Sequence, residues 1–299
     1  MNGKGKQLII QEVGPRDGLQ NEAVFVPTSE KVAFVDQLSA CGFKKIEVTS
    51  FTSPRAIPAL KDAAEVMQQI RRYPGVTYCA LVPNVKGTER ALEAQTDEVN
   101  FVMSASHSHN LENLGMTRED SLKQLGDITR ALEGTDCQLS VSLSTVFGCA
   151  MEGPVASAEV ERLVEQLVQL GVQQISLCDT AGMAHPAQVT ALGRLFLQTW
   201  PEIAFTMHFH DTRGMGLANV LAALQVGVRR FDASVGGLGG CPYSPGASGN
   251  ICTEDLVHML NLMGYDTGID LEQLLQVARS LPELIDRQPP GYLIKAGPV

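Results

Sequence analysis

Two histidines one residue apart carry the clearest chemical signal in the chain. His208 and His210 flank Phe209 at the end of an apolar run that is typical of a β-strand. Because side chains two residues apart on a strand point to the same face, both imidazoles should face one side and Phe209 the other. Neutral imidazole is a common ligand of divalent metals. We therefore predict half of a metal site here, in preference to two core histidines bonded to backbone.

A carboxylate and a guanidinium follow the first apolar run. The segment Gly14–Gly18 contains Arg16 and Asp17. A carboxylate at this place could complete a site of two histidines and one carboxylate, and Arg16 could hold an oxyanion that develops during a reaction. The alternative is a plain turn, since Gly-Pro and Asp-Gly are common turn dipeptides. Taken with the histidines, the segment favours the metal site.

The glycine-rich residues 235–250 follow the last predicted strand. Their composition predicts a mobile loop that can approach a ligand closely or receive a phosphate. Cys241 lies in this loop, where an exposed thiol can donate or accept a proton. Asn250 ends the loop and offers an oxygen as a fourth metal ligand. The alternative is a tight wrap of the chain with an inert thiol.

Other polar side chains follow predicted strands. Glu47 and Asp179 are placed at the ends of the second and sixth strands, where either could orient a metal ligand or Arg16, or form a salt bridge inside the sheet. His107 and His109 fall in a polar stretch and are predicted to be solvated loop residues.

Eight short β-branched runs alternate with longer amphipathic segments. The predicted strands are residues 8–13, 45–49, 76–82, 98–103, 138–145, 174–178, 204–209 and 230–234. The predicted helices are residues 31–38, 60–70, 121–132, 158–170, 186–197, 216–225, 253–262 and 271–284. Thr28, Thr117 and Thr253 are predicted to cap three of these helices.

This alternation predicts an α/β fold of parallel strands, closed as a (β/α)8 TIM barrel or open as a doubly wound sheet. A Rossmann sheet would have Gly-x-Gly-x-x-Gly after its first strand, and polar residues here cluster after several strands, so the barrel is favoured. We predict a single catalytic domain over residues 1–299. Residues 7–265 would form the barrel, and residues 266–299 a C-terminal helical extension and tail.

Composition excludes several classes of protein. The 299 residues include 23 Lys+Arg and 33 Asp+Glu, a net charge of −10 that disfavours binding to nucleic acid. No apolar run is long enough to span a membrane, and no secretory signal is recognised. The chain has seven cysteines, an odd number, and no two of them have Cys-x-x-Cys spacing. Both observations argue against a disulfide framework. These features predict a cytoplasmic protein.

Residues 12–22, 208–212 and 236–250 together resemble the hydroxymethylglutaryl-CoA lyase family, and the Gly-Gly-Leu-Gly-Gly-Cys-Pro-Tyr stretch is the most specific match. The resemblance implies a TIM barrel, a homodimer, an acyl-CoA substrate and Mg²⁺ or Mn²⁺. It implies metal ligation by Asp17, His208, His210 and Asn250, enolate stabilisation by Arg16, proton donation by Cys241, and supporting roles for Glu47 and Asp179.

The implied reaction splits 3-hydroxy-3-methylglutaryl-CoA into acetyl-CoA and acetoacetate. Asp17 and His208 both remain candidates for the base. The ligand set alone would favour Zn²⁺ in the general affinity order, so the resemblance is what favours Mg²⁺ or Mn²⁺. Rival interpretations are a Claisen condensing enzyme such as isopropylmalate or homocitrate synthase, which carries a longer C-terminal region, a metal-dependent hydrolase, and a non-catalytic binding protein.

The chain also departs from the family pattern in loops that could shape the acyl pocket. Arg55-Ala56 stands where Lys-Trp is common, Leu114-Gly115 where Ile-Asn is common, and Ala150-Met151 where Pro-Tyr is common. Cys178 replaces a glycine before the carboxylate of the sixth strand. We predict that the cleavage chemistry is retained and that the acyl preference has shifted.

Overall fold

A closed barrel of eight parallel strands forms the centre of the computed structural model, which describes residues 8–240 and 249–298. The strands are β1 Ile9–Glu12, β2 Lys45–Ser50, β3 Thr77–Val82, β4 Glu98–Ser104, β5 Gln138–Ser144, β6 Gln174–Asp179, β7 Ala204–Phe209 and β8 Arg230–Ala233. They pair in chain order, and β1 pairs with β8 through Ile9↔Arg230 and Glu12↔Ala233, which closes the sheet. The predicted (β/α)8 TIM barrel is confirmed, and the open sheet is excluded.

Helices surround the barrel and continue beyond it. They are α1 Thr28–Ala40, α2 Ala63–Gln69, α3 Val85–Glu93, α4 His107–Leu114, α5 Arg118–Leu132, α6 Ser157–Gln169, α7 Pro186–Thr199, α8 Gly216–Val226, α9 Thr253–Leu262, α10 Leu271–Ile285 and α11 Leu293–Ala296. The last two form the C-terminal extension, with α10 packed against α1 and α9. Within the described part of the chain, no helix is both long and apolar enough to cross a membrane.

Alternation along the strands sorts polar from apolar side chains. On β2, Ile46 and Val48 are buried in the hydrophobic layer between strands and helices. Lys45 and Glu47 point the other way, into the barrel, where Lys45 pairs with Glu98 of β4. Buried charges must be paired or hydrogen-bonded to be tolerated, so the barrel interior is a polar network.

The predicted elements differ from the structure mainly where polar sequence forms helix. Helices α3 and α4 were not predicted, because both are short and hydrophilic on average. Thr117 caps α5 by accepting a hydrogen bond from the Asp120 amide, as expected. The other two predicted caps are wrong, since no side chain caps α1 or α9. The Thr253 hydroxyl instead donates to Glu12 at 2.7 Å.

The segment after β1 is a single π-helical turn, Gly14–Gly18, at the carboxyl end of the barrel. The Val13 carbonyl accepts from the amides of Arg16, Asp17 and Gly18 at 3.1, 2.7 and 3.3 Å. Single π turns are rare and often occur at functional sites. This turn aims the side chains of residues 16 and 17 over the barrel mouth.

Candidate metal centre and active site

Asp17, His208 and His210 converge at the carboxyl rim of the barrel. The Nε2 atoms of His208 and His210 lie 4.0 and 3.9 Å from the same oxygen, Oδ2 of Asp17. One ligand atom from each of the three residues lies within 4.8 Å of the others, and the two imidazole rings are 5.2 Å apart. The structure thus brings the predicted carboxylate and the paired imidazoles together.

The outer nitrogens of the two imidazoles differ in their partners. His208 Nδ1 lies 3.2 Å from Oδ2 of Asp232, which leaves Nε2 directed toward Asp17. A carboxylate behind a histidine is the usual support of a metal ligand. His210 Nδ1 is buried and has no hydrogen-bond partner among the described residues. The three metal-ligand atoms of Asp17, His208 and His210 face the same space, and the outer nitrogen of His210 has no other partner among the described residues. This arrangement fits a divalent cation.

The electrostatics keep two of these donors, Asp17 and His210, in the deprotonated form that binds a cation. Burial alone would raise the pKa of Asp17, but Arg16 and then the two histidines lower the pKa well below the usual carboxyl value. Burial, aided by the neighbouring His208, lowers the pKa of His210 to about 4. Burial also opposes the charged form of His208, yet Asp232 outweighs it and raises the pKa of His208. At neutral pH the site therefore presents an ionised carboxylate and at least one neutral imidazole.

Arg16 is fixed beside the cluster by two carboxylates. Its Nε lies 2.5 Å from Oε2 of Glu47, and its Nη1 lies 2.5 Å from Oδ1 of Asp17. Asn100 donates to the other oxygen of Glu47 at 2.7 Å and to Ser142 at 2.9 Å. Glu47 lies within β2 and not at its end, and it supports Arg16 from inside the barrel.

Asn250 contacts the carboxylate through its amide nitrogen. Its Nδ2 donates to Oδ2 of Asp17 at 2.7 Å and to the carbonyl of Leu238 at 3.0 Å. Its Oδ1 is buried and unpartnered within the residues that the structure covers. In this arrangement Asn250 orients Asp17, and its role as a ligand stays a prediction.

Asp179 lies at the end of β6 and is fully buried, but it supports a loop. Its Oδ1 accepts from the amides of Met183 and Ala184 at 2.7 and 3.0 Å, and burial raises its pKa to about 6. The predicted Cys241 lies outside the described residues. The preceding Gly240 accepts a hydrogen bond from Asn21 at 3.1 Å.

A cavity of about 610 Å³ opens onto the cluster. Its lining includes Arg16, Asp17, His208, His210, Thr52, Ser53, Ala56, Ile57, Leu81, Asn84, Val102, His109, Asn113, Leu114, Met116, Ser142, Ser144, Cys178, Thr180 and Gly240. Cavities of this size hold drug-sized ligands, and this one combines polar groups near the cluster with an apolar wall.

His109 corrects a sequence prediction. It lies on α4, is only 5 % exposed and shares a 2.6 Å hydrogen bond with Ser104. His107 is exposed as predicted, but it begins α4 and so does not lie in a loop. Ser106 caps this helix through the His109 amide, and such a cap after a strand was the signal for it.

Three functional residues were missed because their partners lie far away in the chain. Asp232 faces His208 across the β7–β8 register, Asn100 reaches Glu47 across the barrel, and Glu12 is bonded to residues beyond 230. An acidic residue within a buried strand, as Asp232 is, or at its end, as Glu12 is, was the available signal for these two residues.

The chain matches known proteins over nearly its whole length. Residues 7–281 match the model of the HMGL-like family. The chain is 46% identical over 286 residues to the hydroxymethylglutaryl-CoA lyase YngG of Bacillus subtilis, and this alignment covers 96% of each chain. It is 42% identical to the mitochondrial hydroxymethylglutaryl-CoA lyase of Bos taurus, and that alignment covers 95% of this chain and 87% of the relative. The solved structure of an HMG-CoA lyase from Acinetobacter baumannii, in complex with coenzyme A and 3-methylmalate, superposes with a TM-score of 0.96 at 48% identity, which covers 100% of this chain and 97% of that one.

Proposed function

The chain belongs to the HMGL-like family, and we propose that it cleaves 3-hydroxy-3-methylglutaryl-CoA, or a close 3-hydroxy-3-alkylglutaryl-CoA, to acetyl-CoA and acetoacetate or its homologue. It is a carbon–carbon lyase, like the relatives that it matches almost end to end. The observation that carries the proposal is the cluster of Asp17, His208 and His210 beside Arg16, at the mouth of a cavity.

A divalent cation fits the donors of this cluster. Asp17, His208 and His210 would hold it, with the Oδ1 of Asn250 as a further ligand once its amide turns. Such a cation supplies Lewis acidity, which makes a hydroxyl bound to it easier to deprotonate. We propose Mg²⁺ or Mn²⁺ because of the family, since the ligand set alone does not select them over Zn²⁺.

The reaction begins with loss of the proton of the C3 hydroxyl. Asp17 and His208 are the candidates for the base that takes this proton, and both face the cavity. The C2–C3 bond then breaks, the oxygen becomes the keto group of acetoacetate, and the electron pair passes to the thioester fragment as an enolate. A proton delivered to the C2 carbon completes acetyl-CoA, so the atoms balance without water.

Arg16 stabilises the enolate oxygen. Its guanidinium carries a fixed positive charge at the cavity wall, and Glu47 and Asp17 hold it in place before the reaction. A charge that needs no reorganisation as the oxyanion develops is the most effective form of electrostatic catalysis. We propose Cys241, next in sequence to the cavity-lining Gly240, as the donor of the proton to the enolate carbon.

We propose that the acyl preference extends beyond the methyl group. Ala56, Leu114 and Cys178, three of the positions that depart from the family pattern, line the cavity beside the apolar Ile57 and Met116. Steady-state kinetics on 3-hydroxyglutaryl thioesters with methyl and longer 3-alkyl groups would test this. A strong preference for methyl would remove the case for a broader pocket.

The proposed activity is tested with the purified protein. We expect HMG-CoA and Mg²⁺ or Mn²⁺ to give equal amounts of acetyl-CoA and acetoacetate, and we expect EDTA to stop the reaction until metal is restored. Replacing His210 by Ala should abolish most turnover, whereas replacing His107, which is exposed and is not part of the cavity lining, should not. Absence of both products with every metal would contradict the proposal.

We also propose that the protein acts as a cytoplasmic homodimer with one catalytic domain per chain. The proposal rests on what the resemblance to the hydroxymethylglutaryl-CoA lyase family implies, and this chain matches such lyases almost end to end. Sedimentation equilibrium would show a mass twice that of the chain, and a monomer would contradict the dimer.

A further inference from the structure

Glu12 is a buried carboxyl that the proposed mechanism does not use. It is the last residue of β1 and its side chain is fully buried. Its Oε1 accepts from the amides of Gly14 at 2.7 Å and Val235 at 2.9 Å, and its Oε2 accepts from the hydroxyl of Thr253 at 2.7 Å. Three donors from three segments therefore meet on one side chain.

These three segments carry the candidate active site. Gly14 begins the π-helical turn that presents Arg16 and Asp17. Val235 begins the glycine-rich loop, and Thr253 begins α9, three residues after Asn250. Glu12 is thus the point at which the turn and both ends of the loop are joined.

The contact between the turn and the base of the loop is tight around this carboxyl. A Cβ added to Gly14 would lie 2.6 Å from Oε1 of Glu12, and one added to Gly18 would lie 2.9 Å from Cβ of Leu238. Neither residue can therefore be larger unless the neighbouring residues shift. The side chain of Glu12 is a fully buried hydrogen-bonding link across this interface, in addition to the bond between Asn250 and Asp17 at the cavity.

We propose that Glu12 is a positioning residue, which sets Asp17 and Arg16 against the histidines by joining the π-helical turn to the base of the glycine-rich loop. It acts through hydrogen bonds that it accepts and does not touch the reacting atoms. The kinetic part of this inference rests on the proposed lyase function, whereas its metal-binding part does not.

The hydrogen-bonding pattern predicts that the length of the side chain at position 12 affects its positioning role more than its charge does. Both backbone partners are donors to one oxygen, so an amide oxygen at the same distance can replace it, and the hydroxyl of Thr253 can then accept from the amide nitrogen. Burial raises the pKa of Glu12 to about 8, which agrees with a neutral group being tolerated there. A side chain one methylene shorter cannot reach the amides of Gly14 and Val235 together.

The test compares Glu12→Gln, Glu12→Asp and Glu12→Ala. We measure kcat and KM with HMG-CoA, and the Kd for Mn²⁺ alone by calorimetry. We expect Glu12→Gln to stay within about threefold of the wild type, because its acceptor is retained. Glu12→Asp and Glu12→Ala should lose about tenfold or more in kcat and about tenfold in Mn²⁺ affinity, as for other residues that orient metal ligands.

A matched control separates positioning from general stability. Glu98 is also buried, at 1 % exposure, but it begins β4 at the opposite end of the barrel. Glu98→Ala should lower resistance to urea while leaving kcat and the Mn²⁺ Kd of the folded protein unchanged. If Glu98→Ala lowers kcat and Mn²⁺ affinity as much as Glu12→Ala does, at equal loss of stability, the positioning role is refuted.

Two further outcomes would overturn the inference. Activity in Glu12→Asp equal to or above that of Glu12→Gln would show that charge, and not reach, is required. If Glu12→Ala does not fold, Thr253→Val provides the milder change, with an expected loss of about threefold in kcat. Wild-type values in both Thr253→Val and Glu12→Asp would refute the link. Should the wild type release no acetyl-CoA, the proposed function fails, while the Mn²⁺ affinities still decide the role of Glu12.

Discussion

Replacing Arg16 by Met should separate catalysis from metal binding. The side chain keeps its approximate length but loses the charge that faces the enolate oxygen. Loss of one preorganised oxyanion partner costs about 10²–10³-fold in kcat, equivalent to about 3–4 kcal/mol. KM should change little, because the interaction develops in the transition state. The Mn²⁺ Kd should not weaken, since a positive charge 2.5 Å from Asp17 has been removed.

The same substitution has a separable effect on folding. Glu47 has a side chain that is only 1 % exposed, so Arg16→Met leaves a buried carboxylate without its cation. Breaking a buried pair in this way costs about 3–5 kcal/mol of unfolding free energy. Adding Glu47→Gln removes the stranded charge, so the double variant should recover most of the stability and none of the activity.

Urea denaturation, steady-state kinetics and calorimetry on the same preparations would test this reasoning. Arg118→Met is the matched control, because Arg118 is also partly buried and paired, with Glu159 at 2.7 Å, but does not line the cavity. It should retain kcat. If Arg16→Met keeps wild-type kcat, or if the double variant regains activity together with stability, the assignment of Arg16 to the enolate is refuted.

Three other perturbations give distinct outcomes. His208→Ala should weaken Mn²⁺ binding by at least about tenfold in calorimetry, and an unaltered Kd would remove His208 from the ligand set. Cys241→Ser should lower turnover with little change in the urea midpoint, and full activity would make the thiol dispensable. Because burial raises the pKa of Glu12 to about 8, the folded protein keeps a proton that the unfolded chain releases above about pH 4.5. The resulting stability is complete below that pH and is lost as pH rises through about 8. The unfolding free energy should therefore fall less between about pH 5 and about pH 8 in Glu12→Gln than in the wild type, because the variant lacks this titrating carboxyl. Glu254 titrates in both proteins and so does not affect the difference between them. An equal fall of the unfolding free energy in the two proteins would contradict the shifted pKa of Glu12.

The barrel could be predicted because its signal is local. Eight short β-branched runs, separated by amphipathic segments, leave few arrangements of parallel strands, and the observed strands begin and end within two residues of the predicted ones. The convergence of Asp17 with His208 followed from the fold, since all strands of such a barrel end on one rim.

What could not be predicted depends on contacts between distant segments. The polar sequence around His109 predicts a loop, yet it forms a helix, because a short helix capped by Ser106 needs no apolar stripe. Asp232 finds His208 only through the register of β7 and β8, and the choice of Thr253 to donate to Glu12 instead of capping its own helix depends on the closed barrel.

The division of the metal donors between the first and the last strands has a consequence for biosynthesis. Asp17 leaves the ribosome early, whereas His208 and His210 emerge only when most of the chain has been made. A cation held by all three would fasten the seam where β1 meets β8. Because a ligand stabilises only the state that binds it, the ion would stabilise the closed barrel and would not stabilise shorter nascent chains, which lack the two histidines. Hydrogen exchange at Ile10 and Phe231, on either side of that seam, should therefore slow most when Mn²⁺ is added.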